Sequence, residues 1–431
     1  MKVIDFFTAH NFLTQLDCES VLAEFDRQMN LGLSAGNSDS LAMIPAFVDV
    51  DRKLPSNKPI IVLDAGGTNL RVAILTFDDA GNVTMDGFHK EPMPGADGKK
   101  LSADEFFDKM ASFLVPVCGK SDSVGFCFSY PTEITKDLDG KLLRWTKQIN
   151  APDVVGKMIG SGISDALRKK TGKTLKIKIL NDTVATLLAG KQKGMSRQYS
   201  SYVGFILGTG TNTAYIESNS KIGKLQNIDA QHSMAINVES GNFNGIKKSD
   251  FDEMFDKTTA DPGVGLFEKM ISGAYMGGLG LAILQTAAKE GFFSSQASDA
   301  ILNIKNLSTK DFDDFVANPF ITDSALSGIK FTDGDRRMII ELGTPVFIRA
   351  AIMTAINISA AVLRSGQGKD PLHPVCITID GSTYYRTRTS FFKSRVEEYL
   401  RNILGKRNVY FETIFVEDAP MIGSAVAGLI G

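Results

Sequence analysis

A strand, a glycine-containing turn and a returning strand occur twice in this chain. The first copy spans Lys58–Phe77, with the turn Ala65-Gly-Gly-Thr-Asn69 at its centre. The second copy spans Tyr202–Glu217, with the turn Gly208-Thr-Gly-Thr-Asn212. Runs of β-branched and large aliphatic residues on both sides of a short glycine turn are typical of hairpins. The repeat therefore predicts an α/β protein of two halves, each presenting a glycine turn to a common cleft.

Further strands and one helix extend this pattern. Val124–Ser129 and Leu175–Leu180 read as strands, and Val375–Ile379 leads into the turn Asp380-Gly-Ser382. A short apolar helix is expected over Thr183–Ala189, with Gly190 ending it. We predict a small domain over residues 58–182. The predicted large domain holds residues 1–57 and 183–431, and its C-terminal residues can return to the small domain.

Composition excludes several classes of function. The 431 residues carry 47 basic and 49 acidic side chains, a formal net charge of -2, so there is no basic excess for nucleic acid or an anionic membrane. Four scattered cysteines without a CxxC pair argue against a disulfide framework or a zinc site.

The most apolar helix candidate, Ala350–Leu363, is short and partly polar and is expected to be buried in the core. We expect a cytoplasmic protein, either a monomer or a homodimer.

The glycine turns are the first candidate sites for chemistry. Backbone N–H groups of such turns can converge on phosphate because no Cβ blocks the approach. The alternative is that each turn only closes a hairpin; three turns together favour phosphate binding. The other phosphate signatures fail, because Gly172-Lys173-Thr174 has Leu167 where a P-loop needs its first glycine, and no GxGxxG follows a strand.

Several acids and one cation are candidates on weaker grounds. Asp182 follows a strand at the entrance to a helix, a position that either projects into a ligand crevice or caps the helix. Asp64 stands beside the first glycine turn and could position a phosphate-bound metal ion or serve the turn. Glu239 and Glu268 could bind polyol hydroxyls or be surface acids, and Lys147 could be catalytic or merely exposed.

Taken together, these segments resemble the hexokinase/glucokinase family of the actin-like ATPase fold. The resemblance covers residues from about 41 to 427, most of the chain, and its segments stand in family order. The matching segments are Leu63–Arg71, Gly125–Pro131, Trp145–Lys147, Ile179–Ala189, Leu207–Asn212, Phe267–Gly273 and Ile379–Ser382. Any one of them could arise by chance, but the ordered set is highly specific.

The resemblance implies an ATP-dependent kinase that phosphorylates the C6 hydroxyl of a hexose, first of all D-glucose, with two lobes around a cleft. Asp182 would be the catalytic base, aided by Lys147 and Arg71. The implied sugar-binding residues are Ser129, Thr146, Lys147, Asn181, Asp182, Asn212, Glu239 and Glu268. The implied ATP-binding residues are Asp64, Gly66, Gly67, Thr68, Asn69, Arg71, Gly208, Thr209, Gly210, Asp380, Gly381, Ser382 and Gly423. Asp64 would hold Mg²⁺ through water.

The chain departs from the family pattern at three places. The usual Glu-Trp-Gly is Glu239-Ser240-Gly241 here, and Gln148 stands where the family has glycine after Trp-Thr-Lys. The C-terminal adenosine-side loop lacks its first Gly-Ser and retains only Gly423. These departures concern sugar selectivity and nucleotide affinity and leave the reaction type intact. Three alternatives stay open: a kinase preferring mannose, fructose or an amino sugar, a sugar sensor without catalysis, and an ATPase that ignores sugar.

Overall fold

Two mixed β-sheets organise the computed structural model, which describes residues 2–36, 40–67, 69–145 and 149–431. The strands are β1 (Ile44–Asp49), β2 (Ile60–Gly66), β3 (Asn69–Phe77), β4 (Val83–Pro92), β5 (Ser123–Phe128), β6 (Thr132–Ile134), β7 (Gly140–Leu142), β8 (Lys176–Leu180), β9 (Ser201–Leu207), β10 (Thr211–Ser218), β11 (Ser233–Asn237), β12 (Val375–Asp380) and β13 (Phe411–Ile414). The helices are α1 (Val3–Ala9), α2 (Cys18–Leu33), α3 (Ala103–Leu114), α4 (Ile159–Thr171), α5 (Asp182–Lys193), α6 (Asp250–Asp256), α7 (Leu266–Ile271), α8 (Met276–Lys289), α9 (Ser295–Leu302), α10 (Thr309–Ala317), α11 (Asp333–Ser365), α12 (Ser382–Arg386), α13 (Phe392–Gly405) and α14 (Ala419–Ile430).

The two sheets repeat one topology. The first has the order β4-β3-β2-β5-β8, in which β2, β3 and β4 are antiparallel and β2, β5 and β8 are parallel. The second has the order β1-β11-β10-β9-β12-β13, in which β9, β10 and β11 are antiparallel and β9, β12 and β13 are parallel. Both predicted hairpins are therefore confirmed, and each sheet contains one of them.

Alternating side chains of β2 show how the first sheet is sandwiched. Ile61 and Leu63 face an outer core formed with α3 and α4, while Ile60 and Val62 face a middle core between the sheets. A strand buried on both faces needs an unbroken apolar run, and β2 has one. A third core, on the outer face of the second sheet, gathers α2, α8 and α11.

Helix α11 is the longest element, with 33 residues. Among the described residues it is the one helix long and apolar enough to cross a membrane, and 89% of its most apolar stretch is buried within the protein. The prediction of a buried core helix over Ala350–Leu363 is therefore confirmed. Asn357, in the C-terminal half of α11, hydrogen-bonds Thr213 of β10 and Ser240 in the segment after β11.

Helix α5 starts and ends differently from the prediction. Asn181 is its N-cap and Asp182 its first residue, so the expectation that Asp182 might be the cap is wrong. Gly190 does not end the helix, which continues to Lys193. A Cβ on Gly190 would lie 1.7 Å from Thr378 Oγ1, so this glycine allows α5 to pack closely on β12.

Helix α14 returns to the first sheet and packs against both α5 and β5. A Cβ on Gly423 would lie 1.8 Å from the Ala185 carbonyl oxygen, and one on Gly125 would lie 1.8 Å from the Ser424 carbonyl oxygen. Gly423, expected in a nucleotide-binding loop, instead lies buried inside this helix. Its lack of a side chain is needed for the crossing of the two helices.

We predict that Gly423→Ala destabilises the protein by about 3 kcal/mol, because the added methyl group overpacks the crossing of α14 and α5. Gly405→Ala is the matched control, since Gly405 also lies in a helix and a Cβ there meets no atom within 4 Å. Urea denaturation of both variants measures the effect. Equal stabilities of the two variants would contradict this account of the crossing.

Candidate active site

Asp182 stands where β8 passes into α5. The Oδ1 atom of Asn181 accepts a hydrogen bond from the Thr183 N–H at 2.8 Å and so caps the helix. The carboxylate of Asp182 therefore does not cap the helix, and the Thr183 hydroxyl donates to its Oδ1 atom at 3.2 Å. Asp182 is half-buried.

Glu239 is held by two side-chain amides. Asn237 Nδ2 donates to Glu239 Oε1 at 2.8 Å, and Asn212 Nδ2 donates to the same oxygen at 3.3 Å. Glu239 has a left-handed backbone with φ 59°, which is uncommon for a residue with a side chain. Backbone strain of this kind clusters at active sites and ligand-binding positions.

Glu268, at the start of α7, contacts the second glycine turn. Its Oε2 atom accepts a hydrogen bond from the Thr211 N–H at 2.8 Å. A Cβ on Gly210 would lie only 2.5 Å from the same oxygen, so the turn needs glycine there for the carboxylate to approach. The turn predicted from its glycines therefore also positions an acid that is distant in sequence.

Mutual proximity of these acids perturbs their protonation. Burial raises the pKa of Glu239, and the charge of Asp182 raises it further. Burial likewise raises the pKa of Glu268, with Glu239 and Asp182 adding to the effect. Burial also raises the pKa of Asp380, again with a contribution from Asp182. Asp182 is thus the carboxylate that the others share as a neighbour.

The side chain of Tyr130 holds the first glycine turn. Tyr130 OH donates to the Gly67 carbonyl oxygen at 2.5 Å, and Gly67 has φ 83°, a conformation that favours glycine. Asp64 and Arg71 are cross-strand partners in β2 and β3, with Arg71 Nη1 3.6 Å from Asp64 Oδ2. The same nitrogen lies 3.8 Å from Asp418 Oδ1, at the start of α14.

The second and third glycine turns support one another. The Gly208 carbonyl oxygen accepts from the Gly273 N–H and from the Thr383 hydroxyl, each at 2.8 Å. Gly381 has φ 115°, and a Cβ there would lie 2.3 Å from the Leu207 carbonyl group. The turn after β9 therefore touches the turn after β12, and Thr209 is left exposed at their surface.

The segment that leads to Thr146 is anchored by aromatic packing. Trp145 Nε1 donates to the Ala151 carbonyl oxygen at 2.8 Å, and its ring packs edge-to-face on Tyr130 with centroids 4.9 Å apart. The neighbouring Ser129 is half-buried, and its N–H donates to the Ala65 carbonyl oxygen at 3.2 Å.

The structure gathers most of the predicted site residues at the ends of the central strands of the two sheets. Those placed around this cleft are Asp64, Gly66, Gly67, Asn69, Arg71, Ser129, Asn181, Asp182, Gly208, Thr209, Gly210, Asn212, Glu239, Glu268, Asp380, Gly381 and Ser382. Gly423 lies apart from them, inside α14. Thr68, Thr146, Lys147 and Gln148 lie outside the described residues.

Four residues of the cleft were missed by the sequence analysis. Asn237 holds Glu239, Tyr130 holds Gly67, Asp418 lies beside Arg71, and Arg144 lowers the pKa of Glu239 through its charge. Asn237 stands two positions before Glu239, and this short spacing could have indicated that the two side chains interact. The other three are distant in sequence from the groups that they contact, or lie in loops.

We predict that Glu239→Gln raises the unfolding temperature at pH 7. An acid whose pKa is raised by folding destabilises the folded state at any pH where it is ionised there. Replacing Glu239 by the uncharged glutamine removes this destabilisation. The gain should vanish as the pH falls below the ordinary glutamate value of 4.5, where wild-type Glu239 is already neutral.

Differential scanning calorimetry at pH 7 and pH 4 measures this difference. Glu398→Gln, at an exposed position of α13, is the control and should change the unfolding temperature at neither pH. A lower unfolding temperature for Glu239→Gln at pH 7 would contradict the electrostatic account.

Comparison with known proteins identifies the family. Two family models, both described as Hexokinase, match residues 4–192 and 202–430. Hexokinase-7 of Oryza sativa subsp. japonica is 28% identical over 415 residues, covering 90% of this chain and 88% of its own. Hexokinase-2 of Schizosaccharomyces pombe is 28% identical over 429 residues, covering 94% of this chain and 92% of its own.

Solved structures agree with the family models. A hexokinase from Schistosoma mansoni complexed with glucose has a TM-score of 0.79 and 26% identity, covering 96% of this chain and 95% of its own. A second hexokinase crystal structure, with a TM-score of 0.74 and 24% identity, shares the fold. The predicted two-lobed, actin-like α/β fold is therefore confirmed. Since the family models together cover nearly the whole chain, it belongs to the hexokinase family and is a sugar kinase, a phosphotransferase with an alcohol group as acceptor.

Proposed function

We propose that this protein transfers the γ-phosphoryl group of MgATP to the C6 hydroxyl of a hexose, with D-glucose as the preferred acceptor. The observation that carries the proposal is the carboxylate of Asp182, which is free of helix capping and lies among Glu239, Glu268 and Asp380. The similar hexokinase from Schistosoma mansoni was solved in complex with glucose, which supports this choice of hexose.

The acceptor side of the cleft matches the chemistry of a polyol. The carboxylates of Glu239 and Glu268 accept hydrogen bonds, and the side-chain amides of Asn181 and Asn212 can donate and accept. Ser129 supplies a hydroxyl from the other sheet, and Thr146 and Lys147, outside the described residues, are proposed to complete the set. A sugar lacking one hydroxyl would leave buried polar groups unpaired, so such a site discriminates strongly against deoxy analogues.

The proposed chemical step uses Asp182 as general base. Its carboxylate accepts the proton of the C6 hydroxyl as that oxygen forms a bond to the γ-phosphorus, while the bond from phosphorus to the bridging β,γ oxygen breaks and ADP leaves. A free alcohol is a weak nucleophile, so a carboxylate within hydrogen-bond reach contributes about 100-fold to 10,000-fold. Lys147 and Arg71 are proposed to stabilise the transferring group.

The glycine turns are proposed to hold the nucleotide. Backbone N–H groups of Gly66, Gly67, Gly208 and Gly210 can approach phosphate oxygens closely, while Thr209 offers an exposed hydroxyl. Asn69, together with Thr68, which lies outside the described residues, is proposed to bind phosphate as well. The turn Asp380-Gly381-Ser382 would contact the adenosine.

The charge balance on this side of the cleft fits a divalent cation. Asp380 experiences the charges of Asp182 and Asp418 as well as that of Arg71, and buried Asp64 lies on the other side of the same arginine. Carboxylate oxygens are the ligands that Mg²⁺ prefers, with water completing its shell. Asp64 would hold the ion through water. When bound, Mg²⁺ neutralises charge on the phosphate oxygens.

We predict that Asp182→Asn lowers the turnover number for glucose phosphorylation at least about 100-fold, because the base is lost while the shape is kept. ADP release from purified protein with MgATP, with and without glucose, measures this. Asp165→Asn, an exposed carboxylate of α4, is the control and should retain full activity. Binding of glucose to Asp182→Asn, followed by the fluorescence of Trp145, the single tryptophan, should persist.

The wild-type assay also separates the alternatives. ADP release stimulated by mannose, fructose or an amino sugar but not by glucose would assign a different acceptor. Sugar binding without turnover would indicate a sensor, and ADP release that ignores sugar would indicate a plain ATPase. Full activity of Asp182→Asn would rule out Asp182 as the base.

We also predict that Gly210→Ala raises the KM for glucose about tenfold, because its methyl group would displace Glu268 and break the bond from Thr211. The KM for ATP should also rise, because Gly210 belongs to a turn that is proposed to hold phosphate. Gly328→Ala, where a Cβ meets no atom within 4 Å, is the control. Initial-rate kinetics with each substrate varied in turn measure both constants, and an unchanged glucose KM would contradict the role of Glu268.

A further inference from the structure

Three buried polar side chains form a closed ring of hydrogen bonds beneath the acceptor site. The hydroxyl of Thr213 donates to Asn357 Oδ1 at 2.9 Å, and Asn357 Nδ2 donates to Ser240 Oγ at 3.1 Å. Ser240 Oγ and Thr213 Oγ1 lie 3.1 Å apart, and because the Thr213 proton is already used, Ser240 donates in this third bond. At most 1% of each residue is exposed.

The ring joins the two segments that carry proposed sugar-binding residues. Thr213 follows Asn212 in β10, and Ser240 follows Glu239 after β11. The backbone N–H groups of Thr213 and Ser240 both donate to Asn212 Oδ1, at 2.7 and 3.2 Å. The amide of Asn212 is therefore oriented by the two segments together, which directs its Nδ2 toward Glu239.

Asn357 ties this arrangement to the core of the protein. It lies in α11, the long buried helix, far in sequence from both segments. A buried amide requires partners, and here the two hydroxyls supply them, so replacing Asn357 by an apolar residue would leave both hydroxyls short of a bond. The buried hydroxyl of Thr354, about one turn earlier in the same helix, has no hydrogen-bond partner among the described residues, so a polar group in α11 need not take part in the ring.

We propose that Asn357 is a positioning residue for the acceptor site: through Thr213 and Ser240 it fixes the separation of the two segments and so the directions of Asn212 and Glu239. This inference rests on the proposed function. Ser240, which stands where the family motif usually has tryptophan, is a member of this ring.

The test compares variants that open the ring with variants that preserve it. Asn357→Leu, Thr213→Val and Ser240→Ala each remove two of the three ring bonds, and each should raise the dissociation constant and the KM for D-glucose about tenfold. The KM for ATP and the turnover number at saturating glucose should stay within about twofold. Thr213→Ser keeps the hydroxyl and should bind glucose like the wild type.

Thr354→Val is the control for a polar-to-apolar change in α11, and we expect glucose binding within about twofold of the wild type. Either substitution alone already opens the ring. The double variant Asn357→Leu/Ser240→Ala should therefore have a dissociation constant for glucose no higher than that of the single variant that binds glucose more weakly. Glucose titration followed by Trp145 fluorescence gives the dissociation constant without ATP. If Asn357→Leu does not fold, Thr213→Val against Thr213→Ser still decides the question.

The outcomes separate this inference from the proposed function. A wild type that binds no hexose and releases no ADP would overturn the proposed function. A wild type that binds glucose, with ring variants that bind it equally well, would overturn only the positioning role. The positioning role would also be overturned if the ring variants lowered the unfolding temperature and weakened the binding of glucose and the binding of ATP to the same degree. That result would indicate a purely structural network.

Discussion

The close packing of α5 and α14 between the two sheets is the constraint on which the rest of the structure depends. Gly423 permits α14 to touch Ala185 of α5, Gly125 permits β5 to touch α14, and a Cβ on Gly204 of β9 would lie 2.5 Å from the Thr183 carbonyl oxygen of α5. Each contact brings two backbones to a distance that a side chain would prevent. The two sheets are thereby joined through the middle core.

The cleft concentrates carboxylates at an electrostatic cost to the folded protein. Glu239, Glu268 and Asp380 have raised pKa values because they are buried near Asp182. Such an arrangement opposes folding, and carboxylates with perturbed pKa values cluster at functional sites. Sugar hydroxyls and a divalent cation are the ligands that would relieve it, since the first donate hydrogen bonds to carboxylates and the second neutralises them.

The polar residues around the cleft act as a connected structure and not as separate contacts. Asn212 receives bonds from two backbone segments, contacts Asn237 and Glu239, and lies above the ring that Asn357 closes. Fully satisfied networks of this kind make a site rigid, because moving one member breaks several bonds. Ser240, which in sequence is a departure from the family motif, is a part of that network.

The sequence by itself determined the two hairpins, the glycine turns and the acids of the cleft, because these depend on local patterns: apolar runs, residues that permit tight turns, and motif order. It could not show that Asn181 rather than Asp182 caps α5, that Gly190 and Gly423 serve helix packing, or that Asn357 lies beneath Glu239. Those facts depend on which distant backbones approach one another, and only the tertiary structure decides that. A glycine or a buried amide looks alike in sequence whether it binds a ligand or fits against a neighbouring element.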